Sequence, residues 1–144
     1  MKYLLDASAL LPLITGHGKQ LIIEASHENL ITTDLAVYEA CNSLWKIATL
    51  LKTISLEDAV DVADTLKNLI IRNVIHLISL DKLDLPYTLK KAHEEQLTFY
   101  DTSYISTAEI AQATLVTDDI KLQKAANKFL KTITYNDLES ILRR

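Results

Sequence analysis

Several carboxylates stand out by where they fall in the chain. Asp6 interrupts the apolar run formed by Tyr3, Leu4, Leu5, Ala7, Ala9 and Leu10, and the pair Asp118 and Asp119 directly follows the apolar stretch TLVT. Asp101 heads the apolar stripe of a helix-periodic segment, because Tyr104, Ile105 and Ala108 follow it at i+3, i+4 and i+7. An ionised carboxylate taken out of water without a partner costs several kcal/mol, so each of these needs a cation, a cluster of donors or a helix N-terminus. Two readings stay open for each: a strand end that delivers an acid to a site, or an ordinary helix cap. Glu39 is a different case, since it shares the polar sector of its helix with Asn42 and Lys46 and periodicity alone reads it as solvated.

The elements that must position these acids alternate along the chain. Short strands are predicted at residues 2–5, 30–33, 74–79, 114–117 and 131–135. Helices are predicted after Asp6, where Pro12 should cut the first one short, and over 35–51 with Asp34 as cap. Others are predicted over 55–73 with Ser55 as cap, through YTLKKAHEEQ, through TFYDTSYISTAEIAQA, after Asp119, and at the C-terminus with Asn136 as cap. This alternation predicts an α/β fold, a mainly parallel sheet with one helical hairpin inserted, in a single domain spanning 1–144. Open parallel sheets hold their ligands at the carboxyl ends of strands, where Asp6 and the Asp118–Asp119 pair fall. The segment 35–51 is apolar around most of its circumference, with Trp45 and Cys41 on it, so it should be covered by the core, by a second copy of the chain or by a partner.

Composition narrows the function. The net charge of −4 argues mildly against grip on nucleic acid by bulk attraction. The only two glycines, Gly16 and Gly18, cannot build a phosphate-cradling loop. Cys41 is the only cysteine, which excludes an internal disulfide and a multi-cysteine zinc site, fits a reducing compartment and reads as buried filler. His17, His27, His76 and His93 show no zinc-ligand spacing and read as surface or strand residues. Asp6 breaks what would otherwise resemble a signal peptide, and no apolar run reaches membrane-spanning length, so a soluble, cytoplasmic protein is expected.

The pieces LLDASALL, YEACNSL, FYDTSYISTAE and LVTDD, in this order, resemble the PIN-domain family, and among it the VapC-type toxin ribonucleases. The resemblance implies a three-layer fold and a site of Asp6, Glu39, Asp101 and Asp119, with Asp118 as a helper and Ser8 and Thr117 lining the pocket. It implies Mg²⁺ or Mn²⁺ as cofactor, since oxygen ligands without histidine or thiolate suit hard cations, and two such ions would cancel four carboxylates. The implied chemistry is endonucleolytic hydrolysis of RNA by metal-activated water, leaving 5′-phosphate and 3′-hydroxyl ends. Lys121, Lys124 and Lys128, on one face of the helix after Asp119, are the candidate phosphate contacts. The implied partners are an antitoxin protein and a second copy of the chain. A haloacid-dehalogenase-type phosphatase needs an acid where Ser8 stands, and the remaining alternative is a catalytically weak PIN-like RNA-binding or protein-interaction module.

Overall fold

In the computed structural model, which describes residues 1–144, strand β1 (Lys2–Leu5) lies at the centre of a five-stranded sheet. Its neighbours are β2 (Asn29–Thr33) on one side and β4 (Thr114–Val116) on the other, with β3 (Ile75–Ile78) and β5 (Thr132–Ile133) at the edges. Every pairing is parallel, so the sheet expected to be mainly parallel is wholly so. In the register, Leu5 sits beside Val116 and Leu4 beside Ile31. The chain leaves β1 toward β2 on one side and later returns to β4 on the other, so the order reverses at β1. A reversal of that kind opens a crevice at the carboxyl ends of the strands.

Helices cover the sheet: α1 (Ala7–His17), the short α2 (Leu21–Glu24), α3 (Asp34–Trp45), α4 (Leu56–Ile71), α5 (Leu85–Glu95), α6 (Phe99–Ala111), α7 (Ile120–Ala126) and α8 (Tyr135–Leu142). The crossover from β2 to β3 carries α3 and α4, which is the inserted helical hairpin, and the crossover from β3 to β4 carries α5 and α6. Strands β1 and β4 are buried from Tyr3 to Leu5 and from Thr114 to Val116, as expected of parallel strands covered on both faces. The core joins these strands to Leu10 and Leu13 of α1, Leu66 and Leu69 of α4, Ile105 of α6, Leu122 of α7 and Leu138 of α8. No helix is long and apolar enough to cross a membrane.

Several local expectations are corrected. Pro12 does not cut α1, which continues to His17. The carbonyl that a proline at this position leaves free belongs to Ser8, an exposed residue that water can reach, while Ala9, Leu10, Leu13 and Ile14 hold the helix to the core. The cap of α3 is Thr33, whose hydroxyl accepts from Ala36 N at 3.1 Å, and Asp34 becomes the first helical residue. The cap of α8 is Thr134, in a reciprocal box with Asp137, and Asn136 lies inside the helix. Residues 46–51 continue α3 as a wider π-helical turn that ends at Lys52 in the left-handed region, φ 54°.

Cys41 is exposed and so is no core filler. The apolar band of 35–51 is only partly covered: Ala36, Ala40 and Leu44 are buried, while Tyr38, Trp45, Leu50 and Leu51 face outward. His27, His76 and His93 are exposed, but His17 is buried between two carboxylates. Its Nδ1 meets Glu24 and its Nε2 meets Glu139, which tie α1 to α2 and α8.

Candidate active site

Asp6 follows β1 and is the cap of α1. Its Oδ1 accepts from Ala9 N at 3.1 Å and from the Ser8 hydroxyl at 2.6 Å, and its Oδ2 accepts from the Thr117 hydroxyl. The adjacent strand β4 is followed directly by Thr117, which is fully buried and also accepts from Asp119 N at 3.1 Å. Two neighbouring parallel strands therefore end in one hydrogen-bonded knot of Asp6, Ser8 and Thr117. Asp119 caps α7, with Oδ1 accepting from Leu122 N at 3.2 Å. For Asp6 and Asp119, helix capping and a position at the carboxyl ends of the strands go together, because the cap residue sits at the turn from strand to helix.

The other two acids come from helices. Glu39, on α3, is exposed as its periodicity predicts, yet Oε1 accepts from the Tyr104 hydroxyl at 2.6 Å, 65 residues away in sequence. Glu39 lines a cleft of about 630 Å³ between α1 and α3, together with Ser8, Pro12, Tyr38 and Asn42. Asp101 is half-buried in the first turn of α6, where Thr98 supplies the cap. Tyr104 is one turn further along α6 and is buried. Sequence reasoning placed Tyr104 in the core and missed its hydroxyl; its spacing of three from Asp101, on the same helix face, was the available signal.

The four acids repel one another. Burial raises the Asp6 pKa above the ordinary aspartate value against the pull of Ser8, Thr117 and Ala9, and the charge on Asp119 adds to the rise. Burial also raises Asp101, followed by the charges of Asp119 and Glu39, with Lys121 only partly offsetting them. Tyr104 is held above the usual phenol range, first by burial and then by Glu39. None of the four carboxylates takes part in an ion pair within the chain. No three of them are gathered tightly enough to hold one ion between them.

The remaining site expectations divide. Asp118 is not turned to these acids: its Oδ1 accepts from Tyr135 N at 2.9 Å, fastening the β4–α7 loop to the start of α8. Its own N–H donates to Ser8 Oγ at 3.0 Å, so its backbone supports the knot while its carboxylate does not. Lys121 is exposed and near enough for its charge to reach Asp101. Lys124 is exposed in the last turn of α7. Lys128 lies beyond the end of α7 and pairs with Glu95 at 2.8 Å, so the expected three-lysine face reduces to two.

This arrangement of acids on a parallel sheet can be set beside known proteins. The profile of the PIN domain family matches residues 3–128. The chain belongs to the PIN domain family. The chain is 35% identical over 145 residues to exonuclease VapC9 of Pyrobaculum aerophilum, an alignment covering all of this chain and 96% of that protein. The crystal structure of PAE2754 from Pyrobaculum aerophilum superposes with a TM-score of 0.73 at 29% identity, covering 99% of this chain and 90% of that one. VapBC-1 of nontypeable Haemophilus influenzae gives a TM-score of 0.62 at 14% identity, over 94% of this chain and 99% of that one. VapBC2 of Rickettsia felis, solved bound to a DNA fragment from the promoter, gives 0.60 at 18%, over 93% and 98%. The last two share the fold. The match to the PIN domain family spans all four acids, Asp6, Glu39, Asp101 and Asp119.

The donor set fits a hard divalent cation. It is all oxygen, and within the chain its mutual repulsion is relieved only in part, by Lys121 beside Asp101. A hard cation that keeps most of its waters is held by one or two carboxylates plus substrate phosphate, so a gathered group of three is not required.

Proposed function

We propose that this chain is a single PIN-like domain, residues 1–144, that hydrolyses RNA with Mg²⁺ or Mn²⁺ held by Asp6, Glu39, Asp101 and Asp119. The observation that carries this reading is the knot at the ends of β1 and β4, where the Thr117 hydroxyl donates to Asp6 and accepts from Asp119 N, while none of the four acids has an ion pair within the chain. Acids supplied by four elements and left without an ion pair, at a cost to the fold, fit a protein that binds its counter-charge from solution. When bound, the cation supplies the Lewis acidity that activates a water and stabilises a leaving oxygen.

The chain's own side chains do the positioning. Ser8 and Thr117 fix both oxygens of Asp6, and Thr117 also orients Asp119 through its N–H. Tyr104 holds Glu39 at the cleft wall. Lys121 and Lys124 are the phosphate contacts on the α7 side. Water as nucleophile, in place of the ribose 2′-hydroxyl, leaves 5′-phosphate and 3′-hydroxyl ends.

Kinship to a protein named VapC9, and folds shared with VapBC structures, support a toxin paired with an antitoxin, acting in the cytoplasm. The exposed Trp45, Leu50 and Leu51, with Leu56 and Val60 of α4, are the surface we assign to that partner or to a second copy. The Pyrobaculum aerophilum relative is named an exonuclease, whereas we propose internal cutting. One looser reading, a binding module with weak catalysis, draws on the absence of any three gathered acids.

A panel of linear and circularised structured RNAs, incubated with wild type and Asp101→Asn in Mg²⁺, Mn²⁺ or EDTA, tests these readings. We expect metal-dependent cleavage of both forms by wild type and none by the variant. Cleavage of linear RNA alone makes the enzyme an exonuclease, binding without turnover makes it a module, and equal cleavage by both proteins removes the enzymatic reading.

A further inference from the structure

Beside the acid crevice lies a second, apolar pocket of about 240 Å³, between the carboxyl ends of β2 and β3 and the starts of α3 and α6. Tyr38 and Tyr100 both line it, at 78% and 63% exposure, and Tyr38 also lines the cleft of Glu39. The two tyrosines have matching positions: Tyr38 immediately precedes Glu39 on α3, and Tyr100 immediately precedes Asp101 on α6. Each helix that carries an acid to the crevice therefore also carries an open aromatic ring to the pocket next to it. Resting on the nuclease reading above, we propose that this pocket takes one unpaired nucleobase of the RNA, stacked against Tyr38 and Tyr100 beside the phosphate to be cut.

Size and chemistry both favour that occupant. The pocket is below the roughly 300 Å³ where sites for drug-sized ligands begin, so it suits one ring system and not a dinucleotide. Several of the polar groups around it are already engaged, among them Ser79, whose hydroxyl donates to Asp81. Ser103 Oγ donates to the Tyr100 carbonyl at 2.6 Å, and Thr107 Oγ1 donates to the Ser103 carbonyl at 2.7 Å. The Asp34 carboxylate accepts from Leu35 N and Leu80 N, each at 3.0 Å. With these groups spent and only the Tyr38 and Tyr100 hydroxyls without a partner in the chain, the two rings are what the pocket chiefly offers a base, so recognition is mainly by stacking and shape. Exposed aromatic rings are the platform on which single-stranded RNA is held, and every base offers a π-face to them. A base in this pocket must be unpaired, which selects loops and single strands over duplex.

The test uses a single-stranded RNA carrying 2-aminopurine at successive positions, and the same RNA with an abasic residue at each. In cleavage by wild type, Tyr38→Ala and Tyr100→Ala, we expect KM to rise about 5- to 150-fold with kcat little changed, the range that loss of base stacking converts to. Tyr100→Phe restores most of the affinity lost in Tyr100→Ala, because the ring is what stacks. The abasic RNA reproduces the defect with wild type at one position and adds nothing to Tyr100→Ala at that position. Binding is read separately from turnover by 2-aminopurine quenching with Asp119→Asn, whose substitution lies away from the pocket and keeps a helix-capping residue. Quenching that is equal with and without the added Tyr100→Ala change overturns the proposal. So does an alanine variant that binds RNA normally but fails to bind a protein partner, which assigns the pocket to a partner's side chain. If wild type cleaves no RNA, the nuclease reading falls, and the quenching arm still decides the pocket.

Discussion

Replacing Asp101 by Asn should stabilise the metal-free protein and abolish its stabilisation by metal. Asp101 is half-buried, has no ion pair, and faces the charges of Asp119 and Glu39 with Thr98 and then Lys121 in partial compensation. Like charges roughly 8–16 Å apart at an effective dielectric of about 20 repel by on the order of 1–2 kcal/mol, and partial exposure brings the net effect to about 1 kcal/mol. Asn has nearly the same shape and sits in the first turn of α6, where the Thr98 cap survives the change. For a protein of this length, about 1 kcal/mol corresponds to a rise in Tm of roughly 2–4 °C. The pH dependence carries the sign. A raised folded-state pKa means that this residue's contribution is fully favourable below the unfolded value of 3.8 and is lost as pH rises through the folded value. The two proteins should therefore melt together near pH 3 and separate above it, with the variant higher. Saturating Mg²⁺ or Mn²⁺ reverses the order: at a hundred times Kd, metal stabilises wild type by about 2.7 kcal/mol and leaves the variant unmoved. Differential scanning fluorimetry in EDTA and in metal, from pH 3 to 8, measures all of this. A variant that is less stable than wild type in EDTA at pH 7.5, or equally stabilised by metal, refutes the reasoning.

Thr117→Val removes the hydroxyl that donates to Asp6 and accepts from Asp119 N; we expect a loss of roughly 1.5–3 kcal/mol in urea unfolding and weaker metal binding, with Thr117→Ser close to wild type. Metal binding should release protons and weaken as pH falls, because Asp6 and Asp101 titrate above ordinary aspartates; calorimetry in two buffers of different ionisation enthalpy counts the protons, and none released at pH 5 contradicts the site. Burial pulls the His17 pKa down, but Glu24 and Glu139 outweigh it and raise the pKa, while hydrogen bonds from Tyr135 and then His17 hold Glu139 down at about 2. The His17 contribution is thus full below about pH 6.5 and lost as pH rises through its raised value, so His17→Gln should be less stable than wild type at pH 6 and close the gap by pH 9; a constant gap in chemical denaturation contradicts the pairing. Tyr104→Phe frees Glu39 from its tether at a stability cost of about 0.5–1.5 kcal/mol, and should weaken metal binding and cleavage together.

What could be read from the chain alone is what local physics decides. The five strands and the helices between them follow from apolar runs and 3.6-residue periodicity, and their alternation implied a parallel sheet. Asp6 and the Asp118–Asp119 pair were legible because a strand followed by a helix puts the cap residue at the carboxyl edge, while only likeness to the PIN domain family chose Asp119 of the two. Asp101 was legible because a charge heading an apolar stripe needs an explanation. Glu39 was not: by periodicity it is a solvated residue, and only likeness to the PIN domain family's motifs singled it out. The caps expected at Asp34 and Asn136 fall instead on Thr33 and Thr134, since a threonine one or two residues upstream offers a side-chain acceptor of its own and the backbone decides which is used.

Tertiary structure alone decided the partners of these residues. Glu39 meets Tyr104 across 65 residues, Thr117 meets Asp6 across 111, and His17 meets Glu139 across 122. Such pairings depend on strand order, with β1 and β4 adjacent although most of the chain lies between them, and no short window of sequence carries that order. The same order turned Asp118 toward Tyr135 and away from its neighbour's crevice, and brought Tyr38 and Tyr100 to one pocket. Residue types and spacing thus determined which elements form and which acids stand at their ends. Packing those elements around a common core determined which acids share a field, because Coulomb repulsion and hydrogen bonds act through space and not along the chain.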